Sequence, residues 1–212
     1  SIRRQRQMCI RDRLTGGSGA DILEGGSGAD ALYGGSGGDT LTGGSGVDIL
    51  YGGSSTDTLY GGSKSDTLYG GSGKDTLYGG SSGDDLYGGS GKDNLLGGSG
   101  SDNIIGGSRD DTLTGGSGGD TLTGGSGDDV LAGGSGVDTL TGNSGNDTLT
   151  GGSGDDIFQI NKGSGRDLIT DYTSGEDSIK LLGDLTESGL TFSYSGGDTS
   201  ITYDDDLLAV VE

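Results

Sequence analysis

No residue of the 212 is Pro, His or Trp, and Cys occurs once, at position 9. Without His there is no imidazole base, no Ser-His-Asp triad and no His-ligated zinc. A single Cys excludes an internal disulfide framework and a thiolate cluster. Aromatic residues make up 5% of the chain and all hydrophobic types together 27%. No run of about 18 apolar residues occurs, so no membrane-spanning helix is encoded. Basic residues number 12 against 33 acidic ones, a formal charge of −21, which is the wrong sign for a nucleic-acid surface. Averaged over the chain, these figures describe a disordered polyanion.

What the chain has in abundance is glycine, 53 residues of it, and the glycine is periodic. From Gly16 to Gln159 the sequence divides without insertion or deletion into sixteen blocks of nine, among them GGSGADILE (16–24), GGSGKDTLY (70–78) and GGSGDDIFQ (151–159). Position 3 is Ser and position 6 is Asp in all sixteen; position 8 is Leu in fourteen, with Ile104 and Phe158 in the others. Self-similarity at a fixed short period signals a solenoid.

The unit sets its own geometry. Gly-Gly every nine residues is incompatible with a long helix, whereas a triplet such as Thr76-Leu77-Tyr78 suits a short strand. Alternation along that strand points Leu77 to one side and Thr76 and Tyr78 to the other. The remaining six residues, GGSGKD, read as a turn rich in positions that tolerate positive φ. Two strand-turn units close one coil of eighteen residues, so block n pairs in parallel with block n+2. The expected fold is all-β: a parallel β-roll, a two-sheet right-handed β-solenoid with 18 residues per coil, followed by a short β-rich C-terminal cap.

The same repetition stacks carboxylates in rows about 5 Å apart, which repel one another unless a cation lies between them. Each loop supplies one carboxylate and several carbonyls, all oxygen donors, the set that suits Ca²⁺ with its six to eight oxygen ligands. One loop offers too few donors and two stacked loops offer enough, so metal binding is coupled to folding. The candidate ligands are Asp21, Asp30, Asp39, Asp48, Asp57, Asp66, Asp75, Asp84, Asp93, Asp102, Asp111, Asp120, Asp129, Asp138, Asp147 and Asp156, with backbone carbonyls of the preceding Gly and Ser turn residues. Eight loops on each of two edges leave gaps for up to about fourteen ions.

GGSGADILE and its fifteen copies resemble the known G-G-x-G-x-D-x-U-x nonapeptide of the repeats-in-toxin (RTX) hemolysin-type family. The resemblance implies a β-roll that binds Ca²⁺ in its turns through the position-6 Asp and loop carbonyls. It also implies export of a bacterial protein through a type I secretion apparatus, with folding outside the cell where calcium is abundant. On this reading the chain is the C-terminal module of a secreted or cell-surface protein. RTX arrays also follow protease and lipase domains, and some form adhesin rods. HExxH is absent, and without His no Ser triad can be assembled, so the chain itself is read as non-enzymatic.

Residues 1–13, SIRRQRQMCIRDR, share nothing obvious with the repeats and are read as a non-native, disordered basic leader; 14–159 is the calcium-binding roll. Leu14-Thr15 fit positions 8 and 9 of a preceding block, so the array is expected to begin further upstream and the chain to be a fragment. The tail, 160–212, is expected to hold strands at 165–172, 176–182, 190–203 and 207–211, with Ser-Gly-Gly-Asp as a hairpin turn. It resembles the secretion-associated segment after RTX repeats and suits a cap over the last Leu layer. Asp204-Asp205-Asp206 reads as an acidic loop. Position 4 departs from Gly at Ser55, Lys64, Ser82 and Arg109, and Asn143 replaces the second Gly of its block. If position 4 needs positive φ, each side chain there is strained, and the pair Lys64 and Ser82 makes the interval between Asp66 and Asp84 the weakest site. Position 9 carries Tyr33, Tyr51, Tyr60, Tyr69, Tyr78 and Tyr87, then turns to Thr, an outward ladder that either only favours β-structure or presents a glycan-binding or, less favourably, an ice-binding face.

Overall fold

Six-residue strands of one composition, Thr-Leu-Tyr-Gly-Gly-Ser and its variants, alternate with three-residue turns along the chain. The computed structural model describes residues 3–6, 11–161, 165–183, 185, 190–195, 198–203 and 206–211. After a short leader strand β1 (Arg3–Arg6), the array runs from β2 (Arg13–Ser18) and β3 (Asp21–Ser27) to β17 (Thr148–Ser153) and β18 (Ile157–Ile160). The tail adds β19 (Asp167–Ile169), β20 (Ser178–Leu181), β21 (Leu190–Ser195), β22 (Asp198–Tyr203) and β23 (Asp206–Val211). The described residues contain no helix.

Each strand pairs in parallel with the one two places on, so odd and even strands build separate sheets. Register is kept residue for residue: Asn94 lies beside Thr76, Leu95 beside Leu77 and Leu96 beside Tyr78. The strands are longer than the expected triplets because pairing continues through the glycines, Gly80 beside Gly98 and Ser81 beside Ser99. With no side chain on Gly80 and Gly98, nothing holds the neighbouring backbones apart there. The turn shrinks accordingly to positions 4, 5 and 6. There the amide of Gly73 donates to the Ser90 carbonyl of the next coil at 2.8 Å.

Positions 6, 8 and 1 face inward and positions 7 and 9 outward. The sixteen position-8 side chains, from Leu23 to Phe158, are completely buried and form one continuous file between the sheets. Outside, Tyr33, Tyr51, Tyr69 and Tyr87 stack on one sheet and Tyr60 and Tyr78 on the other, with centroids 4.8–4.9 Å apart and planes within 9°.

The leader is not disordered throughout. β1 pairs with β3, from Arg3 beside Asp21 to Arg6 beside Glu24. Arg13 opens β2, and its guanidinium lies 4.5 Å from the Tyr33 ring centroid. The cause is register: Asp12 and Leu14 stand 18 residues before Asp30 and Leu32 and occupy the equivalent buried places. Cys9 lies outside the described residues.

At the other end β19 pairs with β17 and β20 with β18, carrying each sheet on. The antiparallel strands β21, β22 and β23 extend the first sheet through β19. The expected tail strands are therefore present, although the first two are shorter than 165–172 and 176–182. The glycines of the hairpin turn, and Asp204 and Asp205 of the expected acidic loop, lie outside the described residues; Asp206 opens β23. Tyr172 closes over Phe158, with ring centroids 6.3 Å apart.

Because each coil contributes only two core side chains, one from each sheet, a single truncation removes half of a layer. Leu86→Ala is expected to cost about 2–5 kcal/mol. Denaturant unfolding of the calcium-supplied chain checks this; a loss below about 1 kcal/mol would show that the layer collapses around the gap.

Candidate metal centre

Position 6 follows the turn and points into the roll, so its Asp side chains form two buried rows, one along each edge. Within a row the backbone amide of each Asp donates to Oδ1 of the Asp one coil further on. In the regular array these bonds measure 2.6–2.9 Å, from Asp12 to Asp30 and from Asp21 to Asp39 onward. One row runs from Asp12 to Asp156 and ends on Asp177; the other runs from Asp21 to Asp147 and ends on Asp167. The sixteen Asp residues expected from the motif are all in these rows.

The second carboxyl oxygen has no such partner. Oδ2 of every row Asp from Asp12 through Asp147 is buried without a hydrogen bond. From Asp21 onward it lies under the position-1 glycine of its own block, in a cradle that a side chain would fill. A Cβ at Gly70 would stand 2.7 Å from Asp75 Oδ2 and 2.7 Å from the Gly88 carbonyl oxygen. Orphaned carboxylate and carbonyl oxygens thus border the same space, and the donor set is hard oxygen throughout. This fits Ca²⁺ and offers nothing to a soft, thiolate-seeking metal. Among the described residues no three acidic side chains converge on one point, so an ion there would need backbone carbonyls for most of its ligands.

Electrostatics point the same way. Burial pushes the carboxyls of Asp57, Asp66, Asp84, Asp111 and Asp129 up to about 7 and those of Asp75 and Asp138 to about 6. Like-charged neighbours along the row add to the rise, for example Asp39 and Asp75 acting on Asp57, while the amide bond to Oδ1 opposes it. Asp167 is likewise raised to about 7 by burial and by the facing Asp147. Such rows favour either protons or a divalent cation over free carboxylates.

Backbone conformation accounts for the motif's other fixed positions. Positions 2 and 4 have positive φ in all sixteen blocks. Glycines at position 4 span 96–152°, whereas Ser55, Lys64, Ser82 and Arg109 are drawn back to 82–88°; Asn143, at position 2, has φ 74°. The strained departures expected from the sequence are therefore present.

Three row members escaped the sequence reading. Asp12 sits in a glycine-free segment, and only its spacing to Leu14 betrayed it. Asp167 and Asp177 each follow a Ser-Gly-x-Asp-x-Ile phrase, 164–169 and 174–179, displaced by short insertions that break the nine-residue count. Their rungs are correspondingly altered: the Asp147 amide reaches Asp167 Oδ1 at 3.2 Å, and Asp177 takes amides from both Asp156 and Thr173. Asp171 accepts from the amides of Gly151 and Gly152 and ties the tail to the last block.

A family model described as the RTX calcium-binding nonapeptide repeat matches residues 11–41, 33–67, 60–95, 96–131 and 132–169, three quarters of the chain. The chain belongs to the RTX calcium-binding repeat family. No match was found among curated proteins. The RTX array is thus a β-solenoid of a structural calcium-binding type, and its matched span begins at residue 11, just before Asp12.

Two outcomes follow for the RTX array. Gly70→Ala is expected to displace Asp75 or the Gly88 carbonyl and to weaken calcium binding, as titration calorimetry against the parent chain reads directly; unchanged binding would mean that the cradle is not part of the site. The pH response of the metal-free chain has a definite sign. A folded carboxyl raised from an unfolded value of 3.8 to about 7 favours folding below the lower value and loses that contribution as pH rises toward the upper one. In chelator, β-structure by circular dichroism is therefore expected to be greater at pH 5 than at pH 8. The opposite trend would contradict the burial of ionisable rows.

Proposed function

We propose that the chain is the calcium-dependent folding module of a secreted bacterial RTX protein, its C-terminal part. Without metal, ionised row carboxylates make the chain a polyanion too poor in apolar surface to fold. Calcium entering between stacked loops supplies the missing partner for each Oδ2 and ties successive coils together. The observation that carries this reading is the buried, unpartnered Oδ2 repeated from Asp12 to Asp147. Asp21 through Asp156 hold the ions together with turn carbonyls, up to about fourteen in number, and Asp12 and Asp167 lengthen the two rows. A chain that folds only in calcium can pass a type I secretion apparatus unfolded and fold outside the cell.

The outward tyrosines do not favour a glycan platform. Their ring faces are turned to one another in the stacks, which leaves edges and hydroxyls for a sugar rather than a flat aromatic surface.

Circular dichroism during a calcium titration is expected to show coil in chelator and cooperative gain of β-structure at roughly 10⁻⁴–10⁻³ M calcium, with no equivalent response to Mg²⁺. A fully folded roll in chelator at pH 8 would refute the coupling. Position 4 adds a local expectation. Lys64 and Ser82, both at φ 83°, flank the interval between Asp66 and Asp84. Replacing both by Gly is expected to relieve about 1–2 kcal/mol at each position and to move the midpoint to lower calcium. A midpoint shifted upward would show that these side chains support the site.

A further inference from the structure

Nineteen of the 33 acidic residues stand in the two buried rows, and the remaining fourteen nearly balance the twelve basic ones. The formal charge of −21 is therefore almost entirely the charge of the rows. From Asp30 to Asp147 each row Asp has committed Oδ1 to an amide of the preceding coil, and its free oxygen is the buried Oδ2. A row of n carboxylates encloses n−1 intervals, so ions and carboxylates come close to one to one. Carbonyls, which are neutral, complete the ion's shell, so each occupied interval keeps roughly one positive charge uncompensated.

Those charges lie in straight lines along the turn edges, repeating at the strand spacing of about 4.8 Å. One edge also carries exposed basic side chains on consecutive coils, Lys74, Lys92 and Arg109, beside Asp75, Asp93 and Asp111 of its row, together with the exposed acids Asp110 and Asp128. The Lys92 ammonium lies 3.7 Å from the exposed Asp110 carboxylate. The sheet faces are nearly uncharged: within 13–159 their outward positions 7 and 9 bear only Arg13, Glu24 and Asp85.

We propose that calcium loading reverses the sign of the chain's charge and converts the edge bearing Lys74, Lys92 and Arg109 into a docking strip for a linear polyanion of the acidic polysaccharide class. This rests on the calcium-binding reading above. Eleven divalent ions suffice to outweigh a charge of −21. A narrow edge with one charge per coil matches an extended charged polymer lying along it, whereas a flat anionic membrane would have to meet an uncharged sheet face.

The test uses the full chain at low ionic strength, where such fields are least screened. Bound calcium is measured by equilibrium dialysis, electrophoretic mobility at the same calcium levels, and binding to dextran sulfate with neutral dextran and phosphatidylglycerol vesicles in parallel. Migration is expected to turn from anode to cathode once about eleven ions are bound. Dextran sulfate is then expected to bind in calcium and to be released by chelator. The triple variant Lys74→Gln, Lys92→Gln, Arg109→Gln, compared with the parent at equal bound calcium, should bind the polymer about tenfold more weakly. Eleven or more ions bound with migration still anodic would overturn the proposal and leave the calcium reading intact. So would binding to vesicles but not to dextran sulfate, equal binding to neutral dextran, or a triple variant that binds the polymer as well as the parent. Absence of calcium uptake would fell the calcium reading itself, and this proposal with it.

Discussion

The amide-to-carboxylate rung that joins each row Asp to the next is the contact on which the rest of the roll depends. It fixes one carboxyl oxygen on the neighbouring coil and in doing so strands the other inside the protein. A buried carboxylate oxygen without a partner costs several kcal/mol when the group is ionised, and the rows repeat that cost coil after coil. The core between the sheets holds only two core side chains per coil, too thin to offset such a burden. The proposed dependence of folding on calcium rests on this imbalance.

Glycine serves this arrangement in two separate ways. At position 1 its missing side chain makes room for Oδ2 and for the facing carbonyl, so the space around the orphan oxygen exists only because there is no Cβ. At positions 2 and 4 it permits positive φ, which tightens the turn and brings its carbonyls toward the next coil. Ser55, Lys64, Ser82 and Arg109 show that the second role tolerates a side chain at the expense of a retracted φ. Position 1, by contrast, is Gly in every block.

Much of this was legible in the sequence because the repeat is its own alignment. The eighteen-residue coil, the buried Leu77 and its equivalents, and the Asp rows all follow from spacing alone. Strand length did not follow. Propensity marks Thr76-Leu77-Tyr78 as strand and Gly79-Gly80-Ser81 as turn, yet backbone pairing between coils overrides propensity where side chains are absent. Asp167 and Asp177 were hidden by insertions that break the count without breaking the geometry. Asp12 was hidden by composition, since Arg11 and Arg13 beside it resemble nothing in the blocks. The carboxyl rung itself was invisible: no pattern of residues tells which oxygen is bonded and which is bare.

That odd strands build one sheet and even strands the other gives the array a parity. Inserting or deleting two nonapeptides lengthens or shortens the rod and leaves every other residue on its own face and edge. Inserting or deleting one carries everything downstream to the opposite sheet, splitting the Tyr33-Tyr51-Tyr69-Tyr87 stack and moving Lys74 and Lys92 across the rod if it falls between their partners. The tail would move with β17 and β18 and keep its own pairings, so the damage falls on the outward ladders and edge charges. An array of this kind can change in length freely only in steps of a whole coil.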